Sequence, residues 1–196
     1  MTHHSVSLGI KVLDLLKVVR DPNLILDLRY TTDTNFTGQK VFDREQVLLE
    51  PETAAGFLSA VSDFQKQGYK VVVWDAFRTV DDQKKLLEAN SDPRYVASDS
   101  NHCKGKAIDM TLATKDGQYL DMGTDFDSFS EEAHADYDGL TDQQKANRQL
   151  LNQTMKQHGF IGHPYEWWHF DFGTQMAIMN GSQEKLARYG RATIVK

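Results

Sequence analysis

The chain has one cysteine, Cys103, so it can form no internal disulfide and no cysteine-based metal cluster. Any transition-metal site must draw on histidine, aspartate and glutamate. No apolar run approaches the roughly 20 residues needed to span a bilayer. The segment Met1 to Leu16 lacks a basic stretch followed by an apolar one. It does not read as a signal peptide, and the expected location is the cytoplasm. Repeats, low-complexity tracts, Pro/Gly-rich linkers and a glycine-rich phosphate loop are all missing. Positive charge is also short. Lys and Arg total 22 against 28 Asp and Glu, for a net charge of -6. That balance argues against nucleic acid as a partner and disfavours an anionic membrane surface.

What is present suits one compact soluble domain over 1–196, with 1–20 as a terminal segment of unassigned role. Hydrophobic residues make up 40% and charged residues 26% of the 196. Pro51 to Gln67 carries Ala54, Phe57, Leu58, Val61 and Phe64 at helical spacing, with Pro51 at the start and Gly68 as a stop. Tyr69 to Trp74 reads as a buried strand. Asp81 to Asn90 reads as a short helix with Thr79 or Asp81 near its N-cap. Gly105 to Leu112 reads as a strand with Ala107, Asp109 and Thr111 on one face. Thr141 to His158 has a capping box, Thr141 with Gln144, and Gly159 as a stop. Tyr165 to Phe172 is aromatic and strand-like, and a final helix is expected from about Thr174. Asp116 to Gly139 holds eight acidic residues and no Lys or Arg, and is expected to be a long surface loop. Strands and helices do not alternate regularly, which favours an α+β fold.

Three short stretches could carry chemistry. His102 and Asp109 lie seven positions apart with Gly105 between them. A straight strand would send them to opposite faces, but a turn at Lys104–Gly105 would let both face one point. Imidazole nitrogen and carboxylate oxygen suit Zn²⁺. His169 would be a third ligand, and Glu166 a general base for a metal-activated water. Glu166 and His169 are three apart, so either the backbone bends there or Glu166 reaches in from the side. Arg78 follows the central strand and is either a surface cation or a donor to an oxyanion. Asp121, Asp125 and Asp127 do not have the spacing of a calcium loop.

Ser100-x-His102-x-x-Gly105-x-Ala107-x-Asp109, followed by Glu166-x-Trp168-His169, resembles the zinc D,D-peptidases. Within them it resembles the D-alanyl-D-alanine dipeptidases of the VanX type, whose fold is shared with the hedgehog signalling domain. Asp27-Leu28-Arg29-Tyr30, Asn35-Phe36-Thr37-Gly38, Phe77-Arg78, the run Met122 to Asp127 and the doubled tryptophan before His169 point to the dipeptidase branch. The resemblance implies an antiparallel sheet flanked by helices, and a Zn²⁺ ion held by His102, Asp109 and His169. It implies Glu166 as base and Arg78 as transition-state donor. It places Asp127 at the substrate ammonium, Ser100 by the substrate and Tyr30 among the substrate-binding residues. The expected substrate is the free dipeptide D-Ala-D-Ala, with the acidic loop as a lid. A D,D-carboxypeptidase, an L,D-endopeptidase and a non-catalytic zinc- or ligand-binding module are the competing readings.

Overall fold

A computed structural model of the chain describes residues 16–173. The helix expected near Thr174 and the first fifteen residues lie outside that range. Among the described residues there are seven strands: β1 (Lys17–Val19), β2 (Leu24–Leu26), β3 (Val47–Leu49), β4 (Tyr69–Asp75), β5 (Ala107–Thr114), β6 (Phe160–Gly162) and β7 (His169–Phe172). Three α-helices join them: α1 (Pro51–Lys66), α2 (Val80–Ala89) and α3 (Asp142–Gln157). The main sheet runs β2-β4-β5-β7-β6, and β1 pairs with β3 in a separate ribbon. The fold is α+β as expected. The main sheet is antiparallel except at one edge, where β2 pairs parallel with β4.

The helices form where local chemistry favours them. α1 starts on Pro51, whose missing N–H costs nothing at a first turn, and buries Ala54, Phe57, Ala60, Val61 and Phe64 along one stripe. Burial of each phenylalanine contributes about 2–3 kcal/mol. Capping boxes open the other two: Thr79 with Asp82 for α2 and Thr141 with Gln144 for α3. α1 packs on the Phe170/Phe172 face of β7. A Cβ at Gly56 would lie 2.7 Å from the Phe172 ring, so helix and sheet meet closely because position 56 is glycine.

Strand β5 lies at the centre of the sheet and is buried along nearly its whole length. Its Ala107, Asp109 and Thr111 share a face, as their alternation predicts. That face is opposite the one packed on α1. The acidic segment from Asp116 to Gly139 is irregular except for a single antiparallel bridge from Tyr119 to Ala113 and a one-turn 3-10 helix at Glu131–Ala133. It carries no cation of its own, and Arg148 of α3 supplies one. The Arg148 guanidinium donates to the carbonyls of Met122 (2.7 Å), Glu132 (2.7 Å) and His134 (3.0 Å), which fixes two parts of the loop to one helix. Among the described residues, no helix is long and apolar enough to cross a membrane.

Candidate active site

A single row of polar side chains crosses three strands. Asp75 of β4 stands opposite Asp109 of β5, and Asp109 stands opposite His169 of β7. Directly opposed residues in antiparallel strands project from the same face, so the three converge. Asp75 joins the row because the register shifts between Val73 and Asp75. His102 arrives from a 3-10 turn, Asn101–Lys104, just before β5. Ser100 caps that turn, its hydroxyl accepting from the His102 N–H at 3.3 Å. Gly105 ends it at φ +67°, where an added Cβ would meet the Glu50 backbone nitrogen at 2.9 Å. The turn at Lys104–Gly105 therefore exists, and it folds His102 back over Asp109.

The second odd spacing is resolved by a bend. The expected strand Tyr165–Phe172 is ordered as a strand only over His169–Phe172. Before it the chain turns, with the His169 N–H donating to the Glu166 carbonyl at 3.2 Å. The acidic loop draws the chain out of the sheet. The Trp167 backbone N–H donates to Ala133 (3.1 Å) and its indole N–H donates to Thr124 (2.7 Å).

His102, Asp109 and His169 each offer one ligand atom, and these atoms lie within 4.8 Å of one another. The outer nitrogens are already committed. His102 Nδ1–H donates to the Ala76 carbonyl, and His169 Nε2–H donates to Asp171 at 3.1 Å. Those bonds select the tautomers that leave His102 Nε2 and His169 Nδ1 facing each other at 3.2 Å, with Asp109 Oδ1 at 2.9 Å from the latter. Two lone pairs and a carboxylate in that space require a shared proton or a cation. The set of two imidazoles and one carboxylate fits zinc. The electrostatics express the same demand. Burial opposes charge on His169, but Asp171 and Asp109 outweigh it and hold its pKa well above the usual histidine range. Burial also opposes ionisation of Asp109, yet His102 and His169 keep it well below the usual carboxylate range.

Around the trio lies a cavity of about 220 Å³. Tyr30, Arg78, Ser100, Asp127, His163 and Glu166 all line it. Glu166 is buried, and burial pushes its pKa up to about 8, with Asp109 adding to the shift and His169 and Arg78 opposing it. Arg78 is buried too. It donates to Asp75, Gln83 (3.1 Å) and Asp109 (3.3 Å), and its guanidinium lies 5.2 Å over the Tyr30 ring. Asp127 accepts from the Tyr30 hydroxyl at 3.0 Å. Its backbone sits at φ +56°, alone among the described non-glycine residues in the left-handed region.

His102, Asp109, His169, Glu166, Arg78, Asp127, Ser100 and Tyr30 therefore all border one cavity. Several neighbours were not singled out: Asp75, Gln83, Lys104, His163 and Asp171. Asp171 was within reach, because it stands two positions after His169 on the same strand face. Lys104 falls between the motif residues His102 and Gly105, yet it is buried and bonds Asp99 and Asn101, each at 3.0 Å.

A family model described as D-ala-D-ala dipeptidase matches residues 9–187. The chain belongs to the D-Ala-D-Ala dipeptidase family of peptidases. The D-alanyl-D-alanine dipeptidase of Escherichia coli (strain K12) is 37% identical over 153 residues, which is 76% of this chain and 79% of the relative. The D-alanyl-D-alanine dipeptidase of Enterococcus faecium is 30% identical over 168 residues, covering 74% and 83%. The solved structure of VanYB in complex with D-alanine-D-alanine aligns more loosely. Its TM-score is 0.44 at 14% identity, over 73% of this chain and 82% of that one.

If Asp171 holds His169 in its ligand tautomer, Asp171→Ala should lower zinc affinity by about 10- to 100-fold while leaving the fold intact. Competition against a chromophoric chelator reads this directly, and unchanged affinity would remove Asp171 from the account.

Proposed function

We propose that the protein hydrolyses the free dipeptide D-Ala-D-Ala to two molecules of D-alanine, with Zn²⁺ held by His102, Asp109 and His169. The observation that carries this reading is Asp127. An aspartate held in the left-handed region is strained by about 1 kcal/mol or more, and strain of this kind gathers where a side chain must be aimed. Here the strained backbone turns a carboxylate into the same small cavity as the zinc-type trio. That arrangement suits a substrate whose ammonium lies one short residue from the bond to be cut. The cavity, about 220 Å³, is below the 300–1,000 Å³ common for drug-sized ligands and favours a short substrate over a long muropeptide.

Each side chain then has a defined task. Asp127 pairs with the substrate ammonium, and the Tyr30 hydroxyl steadies that carboxylate. Burial keeps the Tyr30 pKa well above its usual value, with Asp127 adding to the shift, so the phenol stays a donor. Ser100 lies beside the substrate and also supports His102 through the turn it caps. Zinc, if held by His102, Asp109 and His169, would supply Lewis acidity to the scissile carbonyl and the attacking water. Glu166 takes a proton from that water and delivers it to the departing amine. Arg78, fixed on two carboxylates and an amide, directs its remaining N–H groups at the oxygen that gains negative charge. No covalent intermediate is needed. Cys103 offers no nucleophile, since burial pushes its thiol pKa up to about 12.

The direct test sets zinc-loaded enzyme against D-Ala-D-Ala, N-acetyl-D-Ala-D-Ala and a muramyl pentapeptide. Cleavage confined to the free dipeptide is expected. Release of D-Ala from the pentapeptide alone would identify a carboxypeptidase, and no turnover of any substrate would leave a binding module. Glu166→Gln should keep the metal and lose about 10³-fold in kcat; full activity in that variant would eliminate it as the base.

The ammonium grip should also depend on pH. Burial, Asp109 and Glu166 raise the Asp127 pKa well above the usual carboxylate range, against the opposing effects of Arg78 and Tyr30. Only the anion pairs with an ammonium. KM for the free dipeptide should therefore climb as pH falls through that raised pKa. Asp127→Asn should raise KM by at least about 30-fold and flatten this pH response. A KM that climbs equally in both enzymes would assign the effect to another group.

A further inference from the structure

Arg78 has five N–H donors, and its neighbours take them unevenly. Asp75 accepts from Nε and Asp109 from Nη2 at 3.3 Å. These two carboxylates hold one side of the guanidinium. On the other side stands the Gln83 amide oxygen, 3.1 Å from Nη1. A third carboxylate there would offset more of the positive charge that an oxyanion needs. An amide oxygen fixes the plane and leaves the charge in place.

Gln83 is itself held. It lies on the first turns of α2, only 3% exposed. The capping box of Thr79 and Asp82 sets that turn, and Arg44 braces it through Asp82 (3.1 Å) and the Phe77 carbonyl (2.7 Å). The Gln83 Nε2–H group donates to the Ala97 carbonyl at 2.8 Å. Ala97 belongs to the segment 93–97 that walls the cavity. One amide thus touches both the arginine and the cavity wall.

We propose that Gln83 is a positioning residue: it orients Arg78 through Nη1 and ties that orientation to the cavity wall at Ala97. The proposal rests on the reading of Arg78 given above for catalysis, but its geometry can be tested apart from it. Gln83→Met keeps the volume and removes both bonds. Gln83→Glu keeps an acceptor for Nη1 and removes the donor to Ala97.

The decisive experiment combines dipeptide kinetics with ¹⁵N NMR of the Arg78 guanidinium on zinc-loaded enzyme. In the parent, a pinned Nη1 should give separate Nη signals. Gln83→Met should merge them, and should lower kcat about 30-fold while KM stays within about threefold. Gln83→Glu should restore separate signals and recover part of kcat. In an Arg78→Ala background, Gln83→Met should cost nothing further, since the two residues act as a unit. Unchanged kcat, persistent separate signals in Gln83→Met, or a full additional loss without Arg78 would each overturn the role. Should Gln83→Met not fold, Gln83→Asn, one methylene too short to reach, gives the same test. A parent enzyme that cleaves no dipeptide would refute the peptidase reading, while the NMR signals would still decide whether Gln83 pins Arg78.

Discussion

Three carboxylates, those of Asp75, Asp109 and Glu166, are buried within one neighbourhood, none more than 7% exposed. A buried charge without a partner is too costly to keep, so each must be paired or hold its proton. Much of the surrounding structure follows from how that is settled. Arg78 and two histidines face Asp75 and Asp109. Asp109 is kept ionised by these neighbours, whereas burial raises the pKa of Asp75 and of Glu166. Carboxyl groups in one buried neighbourhood are thus separated in proton affinity, the condition under which one can serve as a ligand and another as a proton carrier.

The scaffold makes that crowding possible. A central strand buried on both faces, a register shift beside it, a glycine-ended 3-10 turn and a bend before β7 bring together residues far apart in sequence. None of these devices would be stable alone. They are held by α1 packed on the opposite face of the sheet and by Arg148, which fixes the acidic loop against α3. The acidic loop in turn bonds Trp167 and so fixes the bend that places Glu166. The loop that carries Asp127 and the bend that places Glu166 are therefore mechanically joined.

Much of this was legible in the sequence where local signals are strong. α1 and α3 announced themselves through Pro51, Gly68 and the Thr141–Gln144 box, and β4 through its run of β-branched residues. The convergence of the candidate site was legible because short motifs carry it: His102 to Asp109, and Glu166 to His169. The rest was hidden for physical reasons. Strands β1, β2, β3 and β6 have three residues each, too few for any period to show. The parallel edge pairing depends on tertiary packing. Trp167 looks like a strand residue until a distant loop claims its N–H. Gln83 and Arg148 act through partners that no local pattern connects to them.

The central claim is that two imidazoles and one carboxylate form a zinc centre. X-ray absorption on protein loaded with one equivalent of Zn²⁺ tests it most directly. The expected spectrum shows nitrogen and oxygen donors at about 2.0–2.2 Å, no sulfur, and outer-shell scattering from two imidazoles. A shell of water oxygens without imidazole scattering, or a sulfur donor at about 2.3 Å, would contradict the account.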